Sequence, residues 1–86
     1  MDFKTLNAFY LTVSTGSTLR AAGLMKLTVP TLSVKLKNLE KDLKVKLFHR
    51  LPNKLVPTPD GMLFYGEVRQ VLEGIERAKA AVHHKQ

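Results

Sequence analysis

The chain has 86 residues, no cysteine, fourteen basic residues against seven acidic ones, and a formal net charge of +7. That length fits one small domain, which buries only about 60% of the surface its unfolded form exposes, and the lack of a thiol excludes disulfides, thiolate zinc sites and cysteine nucleophiles. No apolar run approaches the ~20 residues of a membrane span, and MDFKTLNAFY lacks the basic-then-apolar order of a signal peptide, so a soluble, cytoplasmic protein without membrane contact is expected.

Asp2 can cap a first helix, on which Phe3, Leu6, Phe9, Tyr10 and Val13 recur at helical spacing, and Gly16 supplies its stop. These aromatics share one face with no cation among them, which favours core over a stacking platform for bases. Ser17 follows at once as the cap of a short second helix, Thr18 to Met25, with Leu19, Ala22 and Leu24 or Met25 expected to face inward. Gly23 costs such a helix about 1 kcal/mol relative to Ala, so it must be held by packing. Ala21 and Ala22 permit a neighbouring helix to approach closely, and Lys26-Leu27 is long enough only for a tight turn. Helix, short turn and helix make a helix-turn-helix unit.

Thr28 caps the third helix, with Pro30 in its first turn, where early N–H groups have no partner inside the helix. Val29, Leu32, Leu36, Leu39 and Leu43 recur at steps of three and four and form one apolar stripe. Pro30, Thr31, Val34, Lys37, Asn38 and Lys41 then point away from it. The helix lies in a strongly basic third of the chain: between Arg20 and Lys54 nine basic residues meet only Glu40 and Asp42, which accounts for the whole net charge. Composition alone admits two readings, a solvated lysine-rich surface or the footprint of a polyanion-binding site. Position favours the second, because the second helix of such a unit offers its amino-terminal residues to base edges while lysines further along reach phosphates. Thr31, Ser33, Lys35, Lys37 and Asn38 suit that division.

Beyond Leu47 the period shortens. Leu47 to Arg50 and Lys54 to Pro57 read as two short strands around Leu51-Pro52-Asn53, either a plain surface hairpin or, after a helix-turn-helix, a wing with Arg50, Asn53 and Lys54 at its tip. Thr58-Pro59 opens a last helix of roughly 25 residues. Met62, Tyr65, Val68, Leu72, Ile75 and Val82 fall on one of its stripes in a near-heptad, with Lys79 at the skipped position. A stripe that outruns so small a core calls for a second copy, so a two-fold homodimer through this helix is expected.

These residues resemble the amino-terminal DNA-binding domain of LysR-type transcriptional regulators. The resemblance covers essentially the whole chain and rests on Gly16-Ser17, Ala21-Ala22, the Thr28-Val29-Pro30-Thr31-Leu32-Ser33 run, Leu39-Glu40, Leu43, Leu47-Phe48, Arg50, Thr58 and Gly61, in register without a gap. It implies a mainly α winged helix-turn-helix, three helices plus a two-stranded wing, over residues 1–58, followed by a linker helix for dimerisation over residues 59–86. It implies sequence-specific binding of double-stranded DNA by a transcriptional regulator, with the third helix in the major groove and the wing on the backbone or minor groove. The residues expected at DNA are Ser17, Thr18 and Arg20; Thr28, Val29, Pro30, Thr31, Ser33, Val34, Lys35, Lys37 and Asn38; and Arg50, Asn53 and Lys54. No cofactor is expected. A small-molecule effector would act only through the sensor domain that usually follows in the family and that these 86 residues do not contain.

The chain departs from the family pattern in places. Val29 and Val34 stand where Gln and Arg are frequent, removing two side chains able to make paired hydrogen bonds to bases. Lys44 replaces a customary Gly, and Asn53 a common Arg. Two other readings remain at this point: a protein-interaction or dimerisation module, and a winged helix-turn-helix of another regulator family, such as the molybdate-responsive kind. An enzyme is not expected, because His49 and the His83-His84 pair have no acidic partners at useful spacing.

Overall fold

The computed structural model describes residues 1–52 and 54–83. The order of elements is α1 (Phe3–Thr15), α2 (Thr18–Met25), α3 (Val29–Leu43), β1 (Phe48–Leu51), β2 (Lys54–Pro57) and α4 (Pro59–His83). This is the expected mainly helical winged arrangement, and its helix starts follow the capping logic of the sequence. The Asp2 carboxylate accepts from Thr5 N–H, Ser17 Oγ from Arg20 N–H and Thr28 Oγ1 from Thr31 N–H.

Helix ends follow a common device with an unusual residue. Lys26 N–H donates to Gly23 O and Leu27 N–H to Ala22 O, while Lys44 N–H donates to Lys41 O and Val45 N–H to Glu40 O. Both pairs are Schellman caps, which place one residue in the left-handed region. Glycine usually fills that place, but here it is Lys26 at φ 58° and Lys44 at φ 56°.

The core gathers around Phe9, Leu32, Leu36, Leu39 and Leu47, each essentially inaccessible. Phe9 is its centre, with its ring tilted against Phe48 at 5.6 Å and against Phe64 at 5.2 Å between centroids. The apolar stripe of α3 thus faces inward as expected. On α1 the expected face holds, with Leu6, Tyr10 and Val13 packed around Phe9 and only Phe3 outside the core, whereas on α2 the phase differs from the expectation. In α1 the buried residues are Ala8, Phe9 and Thr12, whose hydroxyl donates to Ala8 O at 2.7 Å, while Phe3 stays 55% exposed. In α2 the inward row is Ala21, Ala22 and the half-buried Met25, whereas Leu19 and Leu24 face outward. The close approach allowed by two alanines decides which face of α2 packs.

β1 and β2 pair antiparallel, with Phe48 opposite Pro57 and Leu51 opposite Lys54. Strand β1 begins at Phe48, one residue later than expected, and the buried Leu47 before it donates its N–H to the Glu40 side chain. Thr58 locks the following corner. Its N–H donates to Leu47 O, its Oγ1 donates to Lys46 O and accepts from Gly61 N–H at 2.9 Å. A Cβ on Gly61 would overlap Leu47 O, so only glycine lets α4 start this close to β1.

α4 belongs to the same core for its first half. Val68, expected on a stripe facing a second copy, is 3% exposed within this chain's own core, and Phe64, Tyr65 and Leu72 pack against that core too. The reason is the i, i+4 pair Phe64 and Val68, which turns this stretch of helix toward Phe9. Met62 and Val82 remain exposed and Ile75 half-buried. The packed body therefore extends past residue 58.

Candidate nucleic-acid interface

The outer face of α3 is built by exclusion. Because Leu32, Leu36 and Leu39 are fully buried, the residues between them must face out, and Pro30, Thr31, Val34, Lys37 and Asn38 are all exposed. Ser33 and Lys35 are half-buried at the edges of that face. Val29 turns inward and packs against the core, as its place on the apolar stripe predicts, so it is not among the side chains that α3 presents outward although the resemblance puts it among the residues at DNA. Thr28 is exposed, but its hydroxyl both accepts from Thr31 N–H and donates to Thr31 Oγ1 at 2.9 Å. What α3 offers outward is therefore one hydroxyl, one carboxamide, lysine ammonium groups and an isolated apolar side chain, Val34, 55% exposed.

α2 lies across the amino-terminal end of this unit. Ser17 Oγ is occupied in capping Arg20 N–H at 3.0 Å, and Ser17 and Thr18 are half-buried while Arg20 is exposed. The wing is placed differently from the expectation at one residue. Arg50, expected at the tip, sits within β1 with a guanidinium nitrogen 2.8 Å from Glu40 Oε1. The described residues nearest the tip are Leu51, Pro52 and Lys54, all exposed; Asn53 lies outside the described residues, as does His84.

Glu40 is the residue that sequence reasoning missed. It is 6% exposed, and its Oε2 accepts from Leu47 N–H at 2.7 Å and Phe48 N–H at 3.2 Å while Oε1 takes the Arg50 guanidinium. Burial pushes its carboxyl up, but the Leu47 N–H, the Arg50 side chain, the Phe48 N–H and the guanidinium charge together outweigh burial and hold it below the ordinary glutamate value. A signal was present in the sequence: Glu40 lies four residues after Leu36 and three before Leu43, on the apolar stripe itself. The carboxylate joins the carboxyl-terminal end of α3 to the first strand of the wing.

The other surface of note is a groove of about 760 Å³ between the start of α1 and the second half of α4, with Phe3, Tyr10, Leu72 and Ile75 among its walls. Tyr10 and Tyr65 stack nearly parallel near its rim, 5.4 Å between centroids. Among the described residues no helix is long and apolar enough to cross a membrane.

The family model described as bacterial regulatory helix-turn-helix protein, lysR family, matches residues 3–62. The chain is 33% identical over 84 residues to the nitrogen assimilation regulatory protein nac of Escherichia coli (strain K12), covering 98% of this chain and 28% of that protein. It is 31% identical over 86 residues to the HTH-type transcriptional regulator CysL of Bacillus subtilis (strain 168), covering 98% and 29%. It therefore spans under a third of the length of these curated relatives. Among solved structures it is similar to the BenM DNA-binding domain in complex with benA site 1 DNA, with a TM-score of 0.89, 26% identity and 100% of each chain covered.

Proposed function

The chain belongs to the lysR family of bacterial regulatory helix-turn-helix proteins, and from that footing we propose that it binds double-stranded DNA in a sequence-selective way as the DNA-binding part of a transcriptional regulator. The observation that carries this reading is the outer face of α3, which the buried leucines force outward and which lies in the segment holding the whole net charge. The solved BenM domain in complex with DNA supports it, since the likeness runs the full length of both chains. A binding rather than catalytic role is in keeping with relatives that are regulators.

Thr31 and Asn38 supply hydrogen bonds to base edges, and Val34 an apolar contact suited to the thymine methyl group. Lys35, Lys37, Arg20 and Lys54 attract phosphates, and the wing lies against the backbone or minor groove. Residues 1–58 carry these contacts, and residues 59–86 pair two copies. Phe3, Leu72 and Ile75, left in an open apolar groove beside a 25-residue helix, form the surface for that pairing, with Met62 and Val82 exposed along the same helix. Tyr65 supports the wall through Tyr10.

The test is the salt dependence of duplex affinity. Log K should fall linearly with log salt concentration, by about 0.9 per phosphate contacted. Lys35→Ala with Lys37→Ala should flatten that slope by about one unit per lost contact and weaken all duplexes alike. No salt-dependent retention on any duplex would end the reading.

A further inference from the structure

The outer face of α3 does not end where the proposed base contacts end. Lys37, Lys41 and Lys44 follow at steps of four and three and continue the stripe begun by Val34 to the carboxyl end of the helix. The helix ends at the left-handed cap Lys44, and Lys46 beyond it lines the same side. Together with Arg50 these residues line an open groove of about 700 Å³ between α3 and the connection to β1. The one carboxylate among its lining residues is Glu40, whose oxygens are already occupied by Arg50 and two backbone N–H groups. Arg50 is thus offset by Glu40, and the lysines of the groove are left with no acidic side chain of its own wall to offset them.

Geometry says what such a groove meets. Fifteen helical residues span about 22 Å, whereas the major groove of B-form DNA is about 12 Å wide. A helix that enters it by its amino-terminal half and crosses it at an angle carries its last turns toward the flanking phosphate strand. We propose that the groove formed by Lys41, Lys44 and Lys46 is a second phosphate-binding surface, taking the sugar-phosphate backbone of the same duplex beyond the segment read by Thr31, Val34 and Asn38. This rests on the proposed DNA binding and extends it along a groove whose near wall is Val34, Lys37 and Asn38 and whose far wall is Lys41, Lys44 and Lys46. Lys44, in a place suited to glycine, gains its reason here: it keeps a cation on the wall of the groove.

The test combines Lys41→Gln, Lys44→Gly and Lys46→Gln, three exposed positions whose replacement leaves the core intact, with thermal unfolding as the check on folding. On a mixed-sequence duplex the salt slope should fall by about 2.7 if all three contacts are lost, at about 0.9 each. Phosphate-ethylation interference should lose the same number of flanking sites. Lys4→Gln removes a cation outside this groove; because Lys4 lines the groove between α1 and α4, it is compared at a dimer content matched by sedimentation equilibrium, where it should leave the slope and the interference pattern unchanged. Wild-type binding with a slope unchanged in the groove variant, or lowered as much per charge by Lys4→Gln at matched dimer content, overturns this proposal alone. Affinity for inorganic tripolyphosphate lost while the duplex slope persists would give the groove to a free anion and also overturn it. A wild-type chain without salt-dependent duplex binding overturns the DNA reading and this one with it.

Discussion

Replacing Glu40 by Ala should be among the most damaging single changes available in this chain. The carboxylate takes three charge-assisted hydrogen bonds, two of them from buried backbone N–H groups and one from a partly exposed guanidinium. Bonds to a charged group contribute about 1.5–3 kcal/mol each, and a buried donor left without a partner costs about 1–3 kcal/mol. Arg50 can turn to water, but Leu47 and Phe48 N–H cannot, which sets the expected loss at about 3–5 kcal/mol, the usual cost of breaking a buried charged pair. For 86 residues the total stability is about 4–13 kcal/mol at the usual 0.05–0.15 per residue, so the loss is about a quarter of it or more. Urea unfolding followed by circular dichroism should show the midpoint falling at constant slope. Arg50→Ala should cost less, about 1–2 kcal/mol, and almost nothing further in the Glu40→Ala background. A Glu40→Ala chain within about 1 kcal/mol of the parent would refute the reasoning, since no buried N–H would then depend on the carboxylate. The same group sets an acid response. Its folded carboxyl titrates below the ordinary value of 4.5, so its contribution is complete above that value and is lost as pH falls through the lower folded one. Glu40→Gln should flatten the acid limb of the stability profile.

Gly61→Ala should destabilise by more than about 3 kcal/mol or prevent folding, because the new Cβ overlaps the backbone oxygen of Leu47; a normal melting temperature would show that α4 can shift outward freely. Lys26→Gly should stabilise by about 0.5–1 kcal/mol, relief of the left-handed strain at φ 58° being partly offset by the looser unfolded chain, and should raise the melting temperature by a few degrees; an unchanged or lower value would contradict it. Leu72→Glu with Ile75→Glu should give monomers in sedimentation equilibrium, and a persisting dimer would remove the groove between α1 and α4 from the pairing surface.

The helix boundaries were legible because capping chemistry is local: Asp2, Ser17, Thr28 and Thr58 each announce a start within three residues of the N–H they satisfy. The inward face of α3 was equally legible from five well-spaced apolar residues. Faces were harder where bulk misled. Leu19 and Phe3 look like core by type, yet the contact between helices is set by the small Ala21 and Ala22 and by the single ring of Phe9. Val68 looked free because the stripe it belongs to says nothing about which part of α4 lies over α1. Glu40 was the largest omission, because its three donors lie seven to ten residues further on and only the folded chain brings them to one carboxylate.

That carboxylate leaves no hinge between the outward helix and the wing. α3 and β1 are fastened across their seam by Glu40, and Thr58 fastens the far end of the wing back to Lys46 and Leu47. The two elements thus behave as the jaws of a caliper set to one opening. A duplex touched by both has to conform to that opening by bending or by changing its groove width, at a deformation cost of about 1–6 kcal/mol that depends on its sequence. Pyrimidine-purine steps yield most easily, so base changes between the two jaws should alter affinity at positions no side chain reaches.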